Sequence, residues 1–317
     1  MQSQTKNILI GVDASDYTFE AVRYVGKVMP AEKTRIKLLH VMNPMPDSFY
    51  DLGLLPAFRH EEMGLRAWEA QQRNIMEAFM DRAWQLLVSM GYSSEKISAT
   101  IRKREAGVAR DIAAEARRGY DALVVGRKGT SALEELVLGS IANKLVSYLA
   151  QPPTWIVGGH PSPHKILIAM DSSEYARRAL EYIFELFGRD HPELMLLHVT
   201  RGQDLTRPSL AGDFLTANWL NKVREEFKKA EQVMHLIFAD CVSYLEQHGA
   251  DSARIRTKII PGVYSRAAAI YGEAVEGGYG TIVVGRRGLS RVDEFLMGRV
   301  SNKVLQLSEG KAVWIVQ

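Results

Sequence analysis

The chain of 317 residues contains the same domain-sized pattern twice. Asn7-Ile-Leu-Ile-Gly-Val-Asp13-Ala-Ser15-Asp-Tyr17 is matched by Lys165-Ile-Leu-Ile-Ala-Met-Asp171-Ser-Ser173-Glu-Tyr175, with six of eleven positions identical at an offset of 158. The offset recurs where Ile36-Lys-Leu-Leu-His40-Val41 is matched by Leu194-Met-Leu-Leu-His198-Val199. A period this long means two copies of a whole domain, so one fold of roughly 155 residues must account for both halves. A copy of that size can bury its own core.

Each opening run is short, continuous and apolar, as expected of a strand buried on both faces of a parallel sheet. Ser15 and Ser173 stand at N-cap positions. Tyr17, Ala21, Tyr24, Val25 and Val28 follow the first at helical spacing, as do Tyr175, Ala179, Tyr182, Ile183 and Leu186 the second. After the second strands come polar segments, about 43–61 and 200–217, long enough to be lids or partner surfaces. Amphipathic helices are predicted over 62–90 and 219–248, and third strands near 97–103 and 254–260. Each third strand ends close to a glycine, Gly107 or Gly262, predicted to open a further helix. Gly107 to Gly126 spans 19 positions and Gly262 to Gly285 spans 23, so the extra residues, Gly277, Gly278 and Gly280 among them, are expected to lengthen the turn before the fourth strand. Thr154–Val157 and Ala312–Val316 read as closing strands, with a Gly- and Pro-rich linker after the first. The order βαβαβαβαβ predicts an α/β fold: two tandem copies, 1–157 and 164–317, of a five-stranded parallel sheet with helices on both faces, related by an approximate two-fold axis.

The fourth strand of each copy runs into a glycine loop. Ala122-Leu-Val-Val-Gly126-Arg-Lys-Gly129 is followed by nine residues and then Gly139-Ser140, after which Ile141, Leu145 and Leu149 mark a helix starting at the serine. In the second copy Thr281-Ile-Val-Val-Gly285-Arg-Arg-Gly288 is followed by nine residues and Gly298-Arg299. Glycines let backbone N–H groups approach an anion, and a helix N-terminus adds partial positive charge, so the pattern suits a phosphate. Ligands of such sheets bind beyond the carboxyl ends of the strands, the rim that Asp13 and Gly126 share. Asp13 and Asp171 read either as ligand contacts or as charges complementing a helix dipole. Arg127-Lys128 and Arg286-Arg287 read equally as phosphate-facing charges or solvated turn residues. His40 and His198 read as satisfied core histidines.

Other chemistries find little support. No lysine followed by Ser or Thr closes these loops, which disfavours a P-loop NTPase. No Cys–His pairing or Gly-x-Ser-x-Gly elbow is present, so no catalytic residue is assigned. The single cysteine, Cys241, excludes a cysteine-cluster metal site and reads as a small buried hydrophobe, and no metal ligands are assigned. A net charge of +3, with acidic and basic residues interspersed, argues against a nucleic-acid partner. No apolar run of about 18 residues suggests a membrane span, and a polar N-terminus leading straight into a strand makes the cytoplasm the expected location.

With these residues in place, the sequence resembles the universal stress protein family in its tandem two-domain form, over both copies nearly end to end. The family's nucleotide-binding pattern is Gly, two residues, Gly, nine residues, then Gly-Ser or Gly-Thr, and Gly126, Gly129, Gly139 and Ser140 meet it. The resemblance implies a Rossmann-like fold for adenine nucleotide, with ATP, with or without Mg2+, as the ligand. It implies Asp13 against the ribose or adenine edge and the backbone of Val41 reading the adenine. It further implies Gly126 beside the ribose, and Gly129, Gly139, Ser140 and Ile141 around the phosphates. The matching residues of copy two are Asp171, Val199, Gly285, Gly288 and Gly298. Arg299 departs from the pattern: a long cation there either reaches the phosphates or fills their space, which leaves binding by the second half open. Gly11 and Ala14 depart more mildly, standing where relatives often carry Pro and Gly. The expected function is an ATP-binding stress-response or signalling module whose nucleotide state modulates a protein partner. The alternatives are a slow ATPase or adenylate-handling enzyme and a nucleotide-free interaction protein. The closing strands are edge candidates, expected to pair within the tandem or across a homodimer.

Overall fold

The computed structural model describes residues 5–42, 62–129, 138–201, 217–287 and 297–317. The chain divides into Met1–Pro161 with Glu309–Ala312 and Ser162–Ser308 with Val313–Gln317. Of the segments expected as lids, all of 43–61 and residues 202–216 of 200–217 lie outside the described residues.

In the first unit the elements run β1 (Lys6–Gly11), α1 (Asp16–Val28), β2 (Thr34–Met42), α2 (Glu62–Ser89), β3 (Ile97–Lys103), α3 (Val108–Ala116), β4 (Ala122–Gly126), α4 (Ser140–Tyr148) and β5 (Thr154–Val157). The sheet order is β3-β2-β1-β4-β5, with every neighbouring pair parallel. β1 is central, with Ile8 in register with Ile36 on one side and Ala122 on the other. Ile8, Leu9, Ile10, Leu123 and Val124 are fully buried, which is why these runs are continuous in apolar residues rather than alternating. The chain builds outward from β1 through β2 to β3, then returns to place β4 on the opposite side. The carboxyl ends of β1 and β4 therefore flank the point where the strand order reverses, the usual place for a ligand crevice.

The second unit repeats the plan: β6 (Lys165–Ala169), α5 (Glu174–Phe187), β7 (Glu193–Arg201), α6 (Ala217–Gln247), β8 (Ile255–Val263), α7 (Arg266–Glu276), β9 (Thr281–Gly285), α8 (Arg299–Leu307) and β10 (Ala312–Val316). Its order is β8-β7-β6-β9-β10. The α/β fold predicted from the repeat is thus present in both copies. Ser15 and Ser173 cap α1 and α5 as expected, each side chain accepting from the backbone N–H three residues on.

One predicted difference between the copies lies elsewhere. Gly107 does cap α3, with φ 136°, but Gly262 sits inside β8 with φ 74°, and Ser265 caps α7 instead, its Oγ accepting from Ala268 N at 3.3 Å. A serine satisfies a free helical N–H that a glycine cannot. The turn before β9, Gly277–Gly280, is four residues, against five for Arg117–Asp121 before β4. The extra length resides in the end of β8 and in α7, not in that turn.

Ala14 is the one non-glycine residue with positive φ among the described residues, at 63°. An L side chain in that region costs about 1–2 kcal/mol, and glycine's extra freedom in the unfolded chain takes back about 0.4–1. Ala14→Gly is therefore expected to stabilise the first unit by about 0.5–1 kcal/mol, read as a rise in urea midpoint; a fall would refute the assignment of strain. Among the described residues no helix is long and apolar enough to cross a membrane.

Candidate functional site

A cavity of about 120 Å³ opens at the carboxyl ends of β1, β2 and β4 in the first unit. The seven residues singled out in this copy, Asp13, Val41, Gly126, Gly129, Gly139, Ser140 and Ile141, all line it.

Asp13 is fixed by the start of α1. Its Oδ1 accepts from Ser15 N at 3.1 Å, Ser15 Oγ at 2.6 Å and Thr18 Oγ1 at 2.5 Å. Hydrogen bonds to an ionised acceptor are the strong ones, so the carboxylate is oriented before any ligand arrives. Asp13 does serve the helix start, and its other oxygen faces the glycine loop. A Cβ on Gly129 would lie 2.3 Å from Asp13 Oδ2, and one on Gly126 would lie 3.0 Å from Thr18 N. Glycine at both positions lets β4 and its loop rest directly on Asp13 and the first turn of α1.

The loop closes at Gly139, whose N–H donates to the Arg127 carbonyl at 2.8 Å. A Cβ there would lie 3.3 Å from that same oxygen. Gly139 is also the N-cap of α4 and brings no side chain to its first turn, so the free N–H groups and positive end of the helix face the cavity. Arg127 and Lys128 line the cavity beside these backbone groups. Arg127 is fully buried against Gly158, and Lys128 pairs through Nζ with Glu309 of the same unit at 3.3 Å. Full burial at the cavity wall rules out the solvated reading for Arg127.

His40 is half-buried on the cavity wall, with Nδ1 2.7 Å from the Val12 carbonyl. Burial holds its pKa below the usual histidine value, against the opposing pull of that hydrogen bond and of Asp13. The neutral ring donates from Nδ1 to the carbonyl. His198 repeats the contact with Met170 O at 2.7 Å. Sequence reasoning gave Thr18 no role; the signal for it was a hydroxyl three residues after a capping serine.

The second copy brings its residues to the same rim with different support. Asp171 accepts from Ser173 N at 3.0 Å and from Ser173 Oγ, but Ala176 stands where the first copy has Thr18, so one donor is missing. Gly298 N donates to Arg286 O at 2.8 Å, repeating the loop closure. Ser301 Oγ donates to the Gly285 carbonyl at 2.7 Å, where the first copy has Ala142. Val199 is buried near the end of β7, and Arg299 is exposed on the first turn of α8. Gly288 lies outside the described residues. A second cavity, about 730 Å³, reaches Asp171 but is not lined by Val199, Gly285 or Gly298.

A sequence model of the Universal stress protein family matches residues 4–157 and again 163–317. Universal stress protein YxiE of Bacillus subtilis (strain 168) is 32% identical over 146 residues, covering 46% of this chain and 93% of that protein. A universal stress protein of Mycolicibacterium smegmatis (strain ATCC 700084 / mc(2)155) is 27% identical over 204 residues, 63% of this chain and 66% of its own length. The crystal structure of a universal stress protein from Archaeoglobus fulgidus DSM 4304 superposes with a TM-score of 0.62 at 21% identity, covering 100% of this chain and 99% of that one. At that identity the structural likeness concerns the fold.

Proposed function

The chain belongs to the universal stress protein family, and from that premise we propose that its first unit binds an adenine nucleotide, ATP, as the sensing element of a cytoplasmic stress-response or signalling module. One observation carries the reading: the Asp13 carboxylate, the end of β2 at Val41 and the glycine-capped start of α4 converge on one cavity. In this reading Asp13 orients the ribose or adenine edge and Val41 reads the adenine through its backbone. Gly126 lies beside the ribose, and Gly129, Gly139, Ser140 and Ile141 cradle the phosphates, with Mg2+ as a companion of ATP. Glycine at 129 and 139 lets the loop close directly on Asp13 and on the Arg127 backbone, which leaves backbone N–H groups free to approach an anion. The enclosed volume is below the roughly 300 Å³ at which small-molecule clefts usually begin, so it accounts for part of a nucleotide, not all of one.

The second unit is proposed to bind more weakly through Asp171, Val199, Gly285, Gly288 and Gly298. The nucleotide state of the first site is proposed to set contacts with a protein partner. The domains are proposed at 1–157 and 164–317, with the closing strands as candidate pairing edges. Mass spectrometry of the small molecules carried by the purified protein tests the nucleotide reading: an adenine nucleotide is expected. Protein that carries none and takes up no added ATP would refute it.

Turnover is expected to be slow, on the order of one event per minute or less. Among the described residues the cavity shows no arranged general base, and Lys128, which lines it, is paired with Glu309. A phosphate-release rate on the order of one per second would show that the site is built for chemistry.

A further inference from the structure

The seam between the first two helices of each copy is built in two different ways. In the first unit Phe19 of α1 meets Phe79 of α2 edge-on, with ring centres 5.9 Å apart. The guanidinium groups of Arg23 and Arg82 lie 5.5 and 5.0 Å from the Phe19 ring centre. An aromatic plug flanked by two cations fills that seam. The offset of 158 carries Phe19 to Arg177, Phe79 to Ile237, Arg23 to Glu181 and Arg82 to Asp240. Backbone geometry supports the correspondence: Tyr92 N donates to Leu87 O as Ala250 N does to Leu245 O. In the second unit the plug is gone and both cations have become carboxylates.

What replaces it is the groove of about 730 Å³ between α5 and α6, floored by Leu180, Ile237 and Cys241 with Tyr244 at one side. Its size falls within the roughly 300–1,000 Å³ of small-molecule sites. The lining carries four carboxylates, Asp171, Glu174, Glu181 and Asp240, against two arginines. Both arginines are engaged along their own helix, Arg177 with Glu181 at 2.9 Å and Arg178 with Glu174 at 2.7 Å. Burial pushes the Cys241 thiol up, so the floor is neutral. An apolar floor under a rim with two excess negative charges complements a cation that carries hydrocarbon, and an aromatic wall adds to that preference.

We propose that this groove of the second unit binds a small organic cation with an apolar body, of the alkylammonium class. The head lies toward Asp240, since Arg177 already engages Glu181, and the body lies on Leu180, Ile237 and Cys241. The site is separate from the nucleotide cavity of the first unit and does not depend on it; it shares only Asp171 with the residues proposed for nucleotide in the second unit.

Calorimetric titration of the full chain with hexyltrimethylammonium, and in parallel with hexanoate, tests the inference. Saturable binding of one ammonium per chain is expected, at least about tenfold tighter than any binding of the carboxylate. Asp240→Arg restores the first copy's charge, and Arg177→Phe writes its plug into the groove. Each is expected to weaken the ammonium by at least about tenfold. Asp240 is exposed and the Arg177 side chain is 68% exposed, so the fold does not rest on them. An unchanged thermal midpoint confirms this for each variant. Absence of saturable binding, equal affinity for the two probes, or ammonium affinity that survives both substitutions would overturn the proposal.

Discussion

Gly139→Val is expected to weaken ATP binding by the first unit by about a hundredfold or more, whereas Gly298→Val changes the total binding little. A Cβ at Gly139 already lies 3.3 Å from Arg127 O and 3.4 Å from Lys128 Cα, both backbone atoms that cannot swing away. The branched valine must push the first turn of α4 off the loop, which removes the Gly139–Arg127 closure and misaims the free N–H groups. Loss of one or two charge-assisted hydrogen bonds, each worth about 1.5–3 kcal/mol, gives the hundredfold figure. At Gly298 the same distortion falls on a site whose aspartate has one donor fewer and whose first helical residue is Arg299. Titration of both variants with ATP decides the point. Equal losses would show that the second site binds as well as the first, with Arg299 acting as a phosphate ligand.

The second large effect concerns stability and pH. Glu115 of α3 is 2% exposed and gathers three cations and a phenol: Lys37 at 2.7 Å, Arg102 at 3.2 Å, Arg118 at 3.3 Å and the Tyr120 hydroxyl at 3.0 Å. Burial alone would raise its pKa, but the Lys37 and Tyr120 hydrogen bonds and the charges of Lys37 and Arg118 outweigh it and hold the carboxyl below the ordinary value. The Tyr120 phenol, pushed up to about 12, stays a donor. Removing one partner of a buried pair costs roughly 3–5 kcal/mol, and because Lys37 and Arg102 keep partial access to water the expected cost of Glu115→Ala is about 2–3. Arg118 is mostly exposed and adds little.

The sign of the pH effect follows from the depressed pKa. The folded state holds the ionised form more strongly than the unfolded chain, so this stabilisation is present above the unfolded value of about 4.5 and is lost as pH falls through the folded one. Urea unfolding between pH 6 and 3 should therefore show a steeper acid loss for the parent protein than for Glu115→Gln. Parallel curves would remove Glu115 from the account.

The repeat and the glycine spacings carried most of the fold into view, because a buried parallel strand needs an unbroken apolar run and a tight loop needs glycine. Ile8–Ile10 and Leu123–Val124 are buried on both faces, and Gly126 rests on α1 and Gly129 on Asp13, where no Cβ fits. Legibility ended where two residue types could serve one backbone role. Gly262 was expected to open the helix, but Ser265, whose hydroxyl satisfies an N–H, opens it instead. Long-range relations were also out of reach. The burial of Arg127 and the place of His40 on the cavity wall depend on which strands become neighbours. The charge reversal from Arg23 and Arg82 to Glu181 and Asp240 was present in the sequence. It acquired meaning only once the helix seam was known.

The most direct measurement is a calorimetric titration of the nucleotide-stripped full chain with ATP, repeated on Asp13→Ala. The account predicts one tight equivalent of ATP per chain, with any second equivalent weaker, and loss of the tight equivalent in Asp13→Ala while the fold is retained. Absence of saturable ATP binding by the parent protein, or tight binding that persists unchanged in Asp13→Ala, would contradict it.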